Sequence, residues 1–181
     1  MHFQWLLVGI ACCALGGPAL AESESHGSLN PDEMSLGRMV DDASHGKTSM
    51  TVCASGYLMT KSGRHAAARE VFERCAEDGY TGAMTWMSQL DDNGQGAPEN
   101  PDAAANWDRR AADLGDPVGM FNYGLDMMRG RGVSQDIKTG RQWVDRAADL
   151  GLPVAKRMQS AGYDLDEVTP DADNWKYAPL Y

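Results

Sequence analysis

The hexapeptide RAADLG occupies Arg110–Gly115 and recurs, letter for letter, at Arg146–Gly151, a spacing of 36 residues (146 − 110). The same shift puts Gly79 on Gly115 and Gly115 on Gly151, Met84 on Met120, Gly94 on Gly130, Gly96 on Gly132 and Trp107 on Trp143. Glycines and tryptophans held together at one period mark a repeat built from one supersecondary unit.

Each unit reads as two helices. Ala83, Met87 and Leu90 share one face at helical spacing, as do Gly119, Tyr123 and Met127. The first helix stops at Gly94-Gln95-Gly96, or at Gly130-Arg131-Gly132, because glycine accepts the left-handed conformation that ends a helix. Asn100 and Asp136 are N-caps for a second helix. Ala104, Trp107, Ala111 and Leu114 form its apolar stripe, repeated by Gly140, Trp143, Ala147 and Leu150. Such a hairpin cannot cover its own apolar face, so the expected fold is all-α, an αα-hairpin solenoid.

Upstream, SGYLMTKSGRHAAAREVFERCAEDG (Ser55–Gly79) is a further hairpin with a tight turn at Ser62-Gly63. Cys75 falls on Ala111 in the 36-residue register and so faces inward. Cys53, with Tyr57 and Thr60 at i+4 and i+7, lies about as far before the turn as Cys75 lies after it. Two inward residues level on antiparallel helices can form a disulfide, and this placement favours a bridge over two buried thiols.

The ends are different. Residues 1–21 carry no Asp, Glu, Lys or Arg and close on Ala19-Leu20-Ala21, the small-x-small pattern of a secretory signal peptide. Its n-region offers only His2 and the α-amine, which leaves an uncleaved anchor as the alternative. Cleavage before Glu22 removes Cys12 and Cys13, leaves Cys53 and Cys75, and implies no membrane insertion of the mature chain. Residues 22–47 form a polar segment in which Asn30-Pro31 opens a short helix carrying Met34 and Val40. The hairpin covers 48–78, the repeats 79–114 and 115–150, and a capping half-repeat 151–168. An aromatic tail, 169–181, follows; Trp175 and Tyr177 are expected to fold back over the last apolar face, or else to serve as a docking peptide.

Acidic residues outnumber basic ones 26 to 16, for a net charge of −10. That field repels nucleic acid and anionic membranes, so neither is expected as a partner.

GMFNYGLDMMRGRGVSQDIKTGRQWVDRAADLG (Gly119–Gly151) and AMTWMSQLDDNGQGAPENPDAAANWDRRAADLG (Ala83–Gly115) resemble the Sel-one-like repeat, a relative of the tetratricopeptide repeat. The shared pattern is a small residue, an N-x-G-like step, G-x-G-V, an acidic helix start, a Trp and A-A-x-x-G. Ser88 where a helix-contact glycine is usual, Ala97 for a loop valine and Gly140 for an alanine depart from it, and are expected to loosen packing. The resemblance implies an exported adaptor or regulator in the cell envelope that binds a protein or peptide, without a cofactor. It also implies that the first helices line a concave side. On that side Trp86, Gln89 and Asn93, with their equivalents Asn122, Leu125 and Arg129, are the candidate contacts. Trp86 suits a hot spot, with packing on the preceding hairpin as the alternative. Asp91, Asp92 and Asp126 favour a basic partner.

Other motifs lack context. Gly46-Lys47-Thr48 has Asp41 where a phosphate-binding loop needs glycine. Ser44-His45-Gly46-Lys47 and Lys138-Thr139-Gly140 imitate the S-x-x-K and K-T-G pair of penicillin-recognising enzymes. Cysteine-rich relatives within the resembled family have been discussed as penicillin binders, so β-lactam recognition is the enzymatic alternative. A structural component of an envelope assembly, stacked end to end through the tail, is the second. His26, His45 and His65 lack metal-ligand spacing.

Overall fold

The computed structural model describes residues 35–167; the segment read as a signal peptide (1–21), Asn30-Pro31 and the aromatic tail lie outside them. The described chain holds eight α-helices and one 3₁₀ turn: α1 Leu36–Ser44, α2 Met50–Lys61, α3 His65–Glu77, α4 Thr81–Asp92, α5 Pro101–Asp113, α6 Pro117–Arg129, α7 Ile137–Asp149, α8 Pro153–Ser160, then Leu165–Glu167. Each helix packs on its neighbours in sequence, and α1 also packs on α3. This is the stacking of a solenoid.

Local chemistry sets the helix ends. Asn100 and Asp136 cap α5 and α7 through the amides of Ala103 and Thr139, and Asp116 caps α6 through Val118 and Gly119. Helix α1 starts at a Ser35 cap and carries Met39 and Ala43 inward. Gly132 sits at φ +66°, where an added Cβ would lie 2.1 Å from the Pro101 carbonyl oxygen; it pins the loop after α6 against the start of α5.

Two apolar clusters fill the interior. One gathers Met59, Val71, Phe72, Met84, Met87 and Leu90, with the Cys53–Cys75 disulfide inside it. The other gathers Phe121, Leu125, Met128, Val144, Ala155 and Met158. Buried polar groups lie between them: Ser88 and Asn122 both donate to the Asp108 carboxylate, the latter at 3.1 Å. Ser88 thus ties α4 to α5 and is more than a loosened glycine contact.

Two further expectations need correction. Leu114 and Leu150 are 60% and 58% exposed; each is the C-cap residue that closes its helix, and stands beyond the buried Ala111-Ala112 and Ala147-Ala148 pairs. Gly140 tightens the packing: its Cβ would meet Met128 Cγ at 2.5 Å and the Gly124 carbonyl oxygen at 2.6 Å, so α6 and α7 meet backbone to backbone. Trp107 and Trp143 are half-buried, with the Arg110 and Arg146 guanidinium groups over their rings at 4.4 and 4.6 Å.

Candidate functional site

An apolar groove of about 510 Å³ opens between α1 and α2. Leu36 and Met39 line one wall; Met50, Ala54, Tyr57 and Leu58 line the other. Helix α2 explains it. Val52, Cys53, Ser55, Gly56 and Met59 are buried, while Met50, Leu58 and Tyr57 on the opposite side are 73%, 57% and 43% exposed. A helix apolar on both sides is built for two covers, and only one is present among the described residues. Tyr57 therefore turns to the groove and does not continue the inward stripe of Cys53.

The groove has a rigid backing. Tyr57 meets Trp86 edge-on, centroids 5.3 Å apart, and Trp86 stacks on Phe72 at 5.8 Å with ring planes 4° apart. Phe72 fits because position 56 is glycine; a Cβ there would lie 2.5 Å from its ring. An aromatic column thus runs from the groove wall into the core of the first hairpin.

The six candidate contacts do not form one surface. Trp86 is half-buried against the preceding hairpin, and supports the groove from behind. Gln89 and Asn93 are exposed, Asn93 donating to the Gln89 carbonyl at the end of α4. Asn122 is spent on Asp108. Leu125 is only 6% exposed and belongs to the second core cluster, a correction to its reading as a contact; one step of helical phase separates it from Asn122's outer side. Arg129 is half-buried beside Asp126.

The acidic character assigned to this face also turns inward. Asp91 is 3% exposed and pairs with Arg69 Nη2 at 2.6 Å. Arg131 bridges Asp92 and Glu99 at 2.9 and 3.0 Å. Asp126 is 8% exposed. Burial pushes it up to about 7, the Asp92 charge adds to this, and Arg129 and Arg131 oppose it. Burial also holds Asp108 well above the usual carboxylate range, against hydrogen bonds from Ser88 and Asn122. Asp91, Asp108 and Asp126 are thus buried, while Asp92 and Glu99 stay partly exposed and are paired with Arg131. Among the described residues no His/Cys/Asp/Glu cluster is arranged to hold a metal.

Met50, Tyr57 and Leu58 were not among the candidates, yet their signal was present. MTVCASGYLMTK places apolar residues all round the helix, whereas α5 and α7 have one apolar side.

This arrangement defines an all-α hairpin solenoid. Residues 82–116 and 117–152 each match the Sel1 repeat, a unit that typically mediates protein–protein interaction. It is similar to a Sel1 repeat protein from Oxalobacter formigenes, at 28% identity and TM-score 0.56 over 64% of this chain and 50% of that one. It is also similar to Helicobacter pylori cysteine rich protein B, at 18% identity and TM-score 0.57, covering 73% of this chain and 98% of that one. A protective antigen of uropathogenic Escherichia coli displaying an SLR fold matches at 18% identity and TM-score 0.50, covering 73% and 35%. The last two share the fold alone, and the chain spans about half the length of the Oxalobacter protein. No curated protein matches the chain.

Proposed function

We propose that this protein is an exported repeat scaffold, an adaptor or regulator of the cell envelope, that binds a protein or peptide segment in the groove between α1 and α2. The observation that carries the reading is the exposed apolar side of α2, backed by the Tyr57–Trp86–Phe72 column. Exposed apolar surface gathered in one place marks an interaction site, and a rigid backing lowers the cost of ordering it on binding. The Cys53–Cys75 bridge supports an oxidising compartment. Among the described residues no helix is long and apolar enough to cross a membrane.

The enzymatic alternative finds less support. Ser44 ends α1 and donates to the Asp41 carbonyl. Lys138-Thr139-Gly140 opens α7, where Thr139 donates to its cap Asp136. Both motifs serve helix ends on separate elements, and K-T-G is on a helix rather than a strand.

The test compares the mature chain with Leu58→Glu and with Asn106→Glu, the latter on the exposed side of α5. Each is used to capture partners from envelope extract. A discrete partner held by the parent and Asn106→Glu but lost by Leu58→Glu supports the groove. Equal recovery by all three removes it.

A further inference from the structure

The groove lies at the start of the solenoid, in the place a preceding first helix would fill. In each repeat the first helix packs between two second helices: α4 between α3 and α5, α6 between α5 and α7. Helix α1 takes the part of a second helix, packing on α3 and α2. No first helix precedes it among the described residues. The side of α2 that such a helix would cover holds Met50, Ala54 and Leu58.

What covers it? Residues 22–34 adjoin α1, but ESESHGSLNPDEM carries four acids and only two large apolar side chains, Leu29 and Met34. The tail is better matched. DNWKYAPLY (Asp173–Tyr181) brings Trp175, Tyr177, Leu180 and Tyr181 with a single cation, Lys176. Nor is the tail required to close its own end of the solenoid. Tyr163 and Leu165 already pack on the second core cluster. The Tyr163 hydroxyl donates to Asp145 and its ring lies under the Arg141 guanidinium at 4.9 Å.

Reach bears on whether Trp175, the largest side chain of the tail, can seat in its own chain's groove or needs another's. Eight Cα-to-Cα steps lead from Glu167 to Trp175 (175 − 167) and span at most ~29 Å fully extended, a limit on Trp175 rather than on Leu180 and Tyr181 farther along the tail. The groove lies three first-helix steps away, from α8 past α6 and α4 to α2. Alternate helices such as α4 and α6 touch only marginally, so each step is at least the ~10 Å of packed helices. The path exceeds ~30 Å before it enters the groove.

We infer that residues 168–181 of one copy occupy the α1–α2 groove of a second copy, giving head-to-tail association. The inference rests on the groove being a peptide site, and names its occupant. Such a contact is heterologous and does not close on itself, so assemblies grow with concentration.

The test measures solution mass against concentration for the mature chain, for the chain lacking 168–181 and for Leu58→Glu. It adds titration of a synthetic 168–181 peptide onto the tail-less chain. Leu58 is exposed, so the variant keeps its fold, checked by helicity and the intact disulfide. The expected results are growth of the parent, monomers for both variants alone, and a 1:1 dimer when the two variants are mixed. Leu58→Glu weakens the peptide by about tenfold or more, a loss of ~1.4 kcal/mol. A tail-less chain that does not take up the peptide overturns the inference. So does a parent that stays monomeric at every concentration while the peptide binds, which places the tail in its own groove. Capture of a foreign partner lost with Leu58→Glu, alongside no peptide uptake, sinks this inference and leaves the proposed function standing.

Discussion

Tyr57 meets the edge of Trp86 with ring centroids 5.3 Å apart, so a residue of the exposed groove on the first hairpin rests on a residue of the next unit. Binding in the groove and packing of the repeat are thereby coupled. Trp86→Ala removes the ring stacked on Phe72, and is expected to cost roughly 2–4 kcal/mol, somewhat below a fully buried Trp. It should also weaken peptide uptake by the groove, while Trp86→Phe keeps most of both. Denaturant unfolding beside peptide titration checks this; stability lost with uptake unchanged separates the column from the site.

The Cys53–Cys75 bridge closes a loop of 22 residues within the first hairpin. In the chain-entropy account, a loop of that length contributes about 3 kcal/mol. Replacing both cysteines with alanine should lower the melting temperature by roughly 6–12 °C for a chain of this size. Helicity at low temperature should persist, since the hairpin keeps Met59, Val71 and Phe72 in its core.

Asp126 gives a pH signature. Its carboxyl titrates at about 7 in the fold, against ~3.9 in an unfolded chain. Between these values the native state holds a proton that the unfolded chain has released. The stability linked to this group is therefore complete below about pH 4 and is lost as pH rises through about 7. Asp126→Asn escapes that loss. Relative to the parent it should gain on the order of 1–3 kcal/mol at about pH 8.5, roughly a third of that at about pH 5 and little below about pH 4. A difference that is flat with pH would show that the carboxyl ionises freely.

Gly132 and Gly115 both hold positive φ, +66° and +90°, but only Gly132 is crowded, by Pro101 and Ala105. Alanine at 115 should cost about 1 kcal/mol through backbone strain alone. Alanine at 132 must also displace the start of α5, and is expected to cost several times as much. Paired unfolding curves decide it.

Much of this architecture was legible in the chain. The 36-residue register placed Gly94, Gly96 and Asn100 at helix ends, and their equivalents at the same points of the next unit. Inward placement of Cys75 followed from its alignment with Ala111. Periodicity failed where the helix itself stopped: Leu114 and Leu150 continue the stripe in sequence, yet as C-cap residues they are exposed. It also misjudged Leu125, since Gln89, its repeat equivalent, is exposed; equivalent backbone positions need not carry equivalent roles. Of the carboxylates read as surface charge, Asp91 and Asp126 are buried, and Asp91 and Asp92 are paired with Arg69 and Arg131 across 22 and 39 residues of sequence, a pairing no local pattern records. The groove was missed because α2 was read for one apolar side when it has two.

The central claim is that binding takes place on the outer side of α2. A photo-crosslinking residue placed in turn at Leu58, Asn93, Asn106 and Lys156, each exposed, and activated in whole cells, tests it most directly. The account predicts a discrete protein adduct from position 58 and none from 106 or 156. Adducts from 93 or 106 with none from 58 would contradict it and move the binding surface elsewhere on the solenoid.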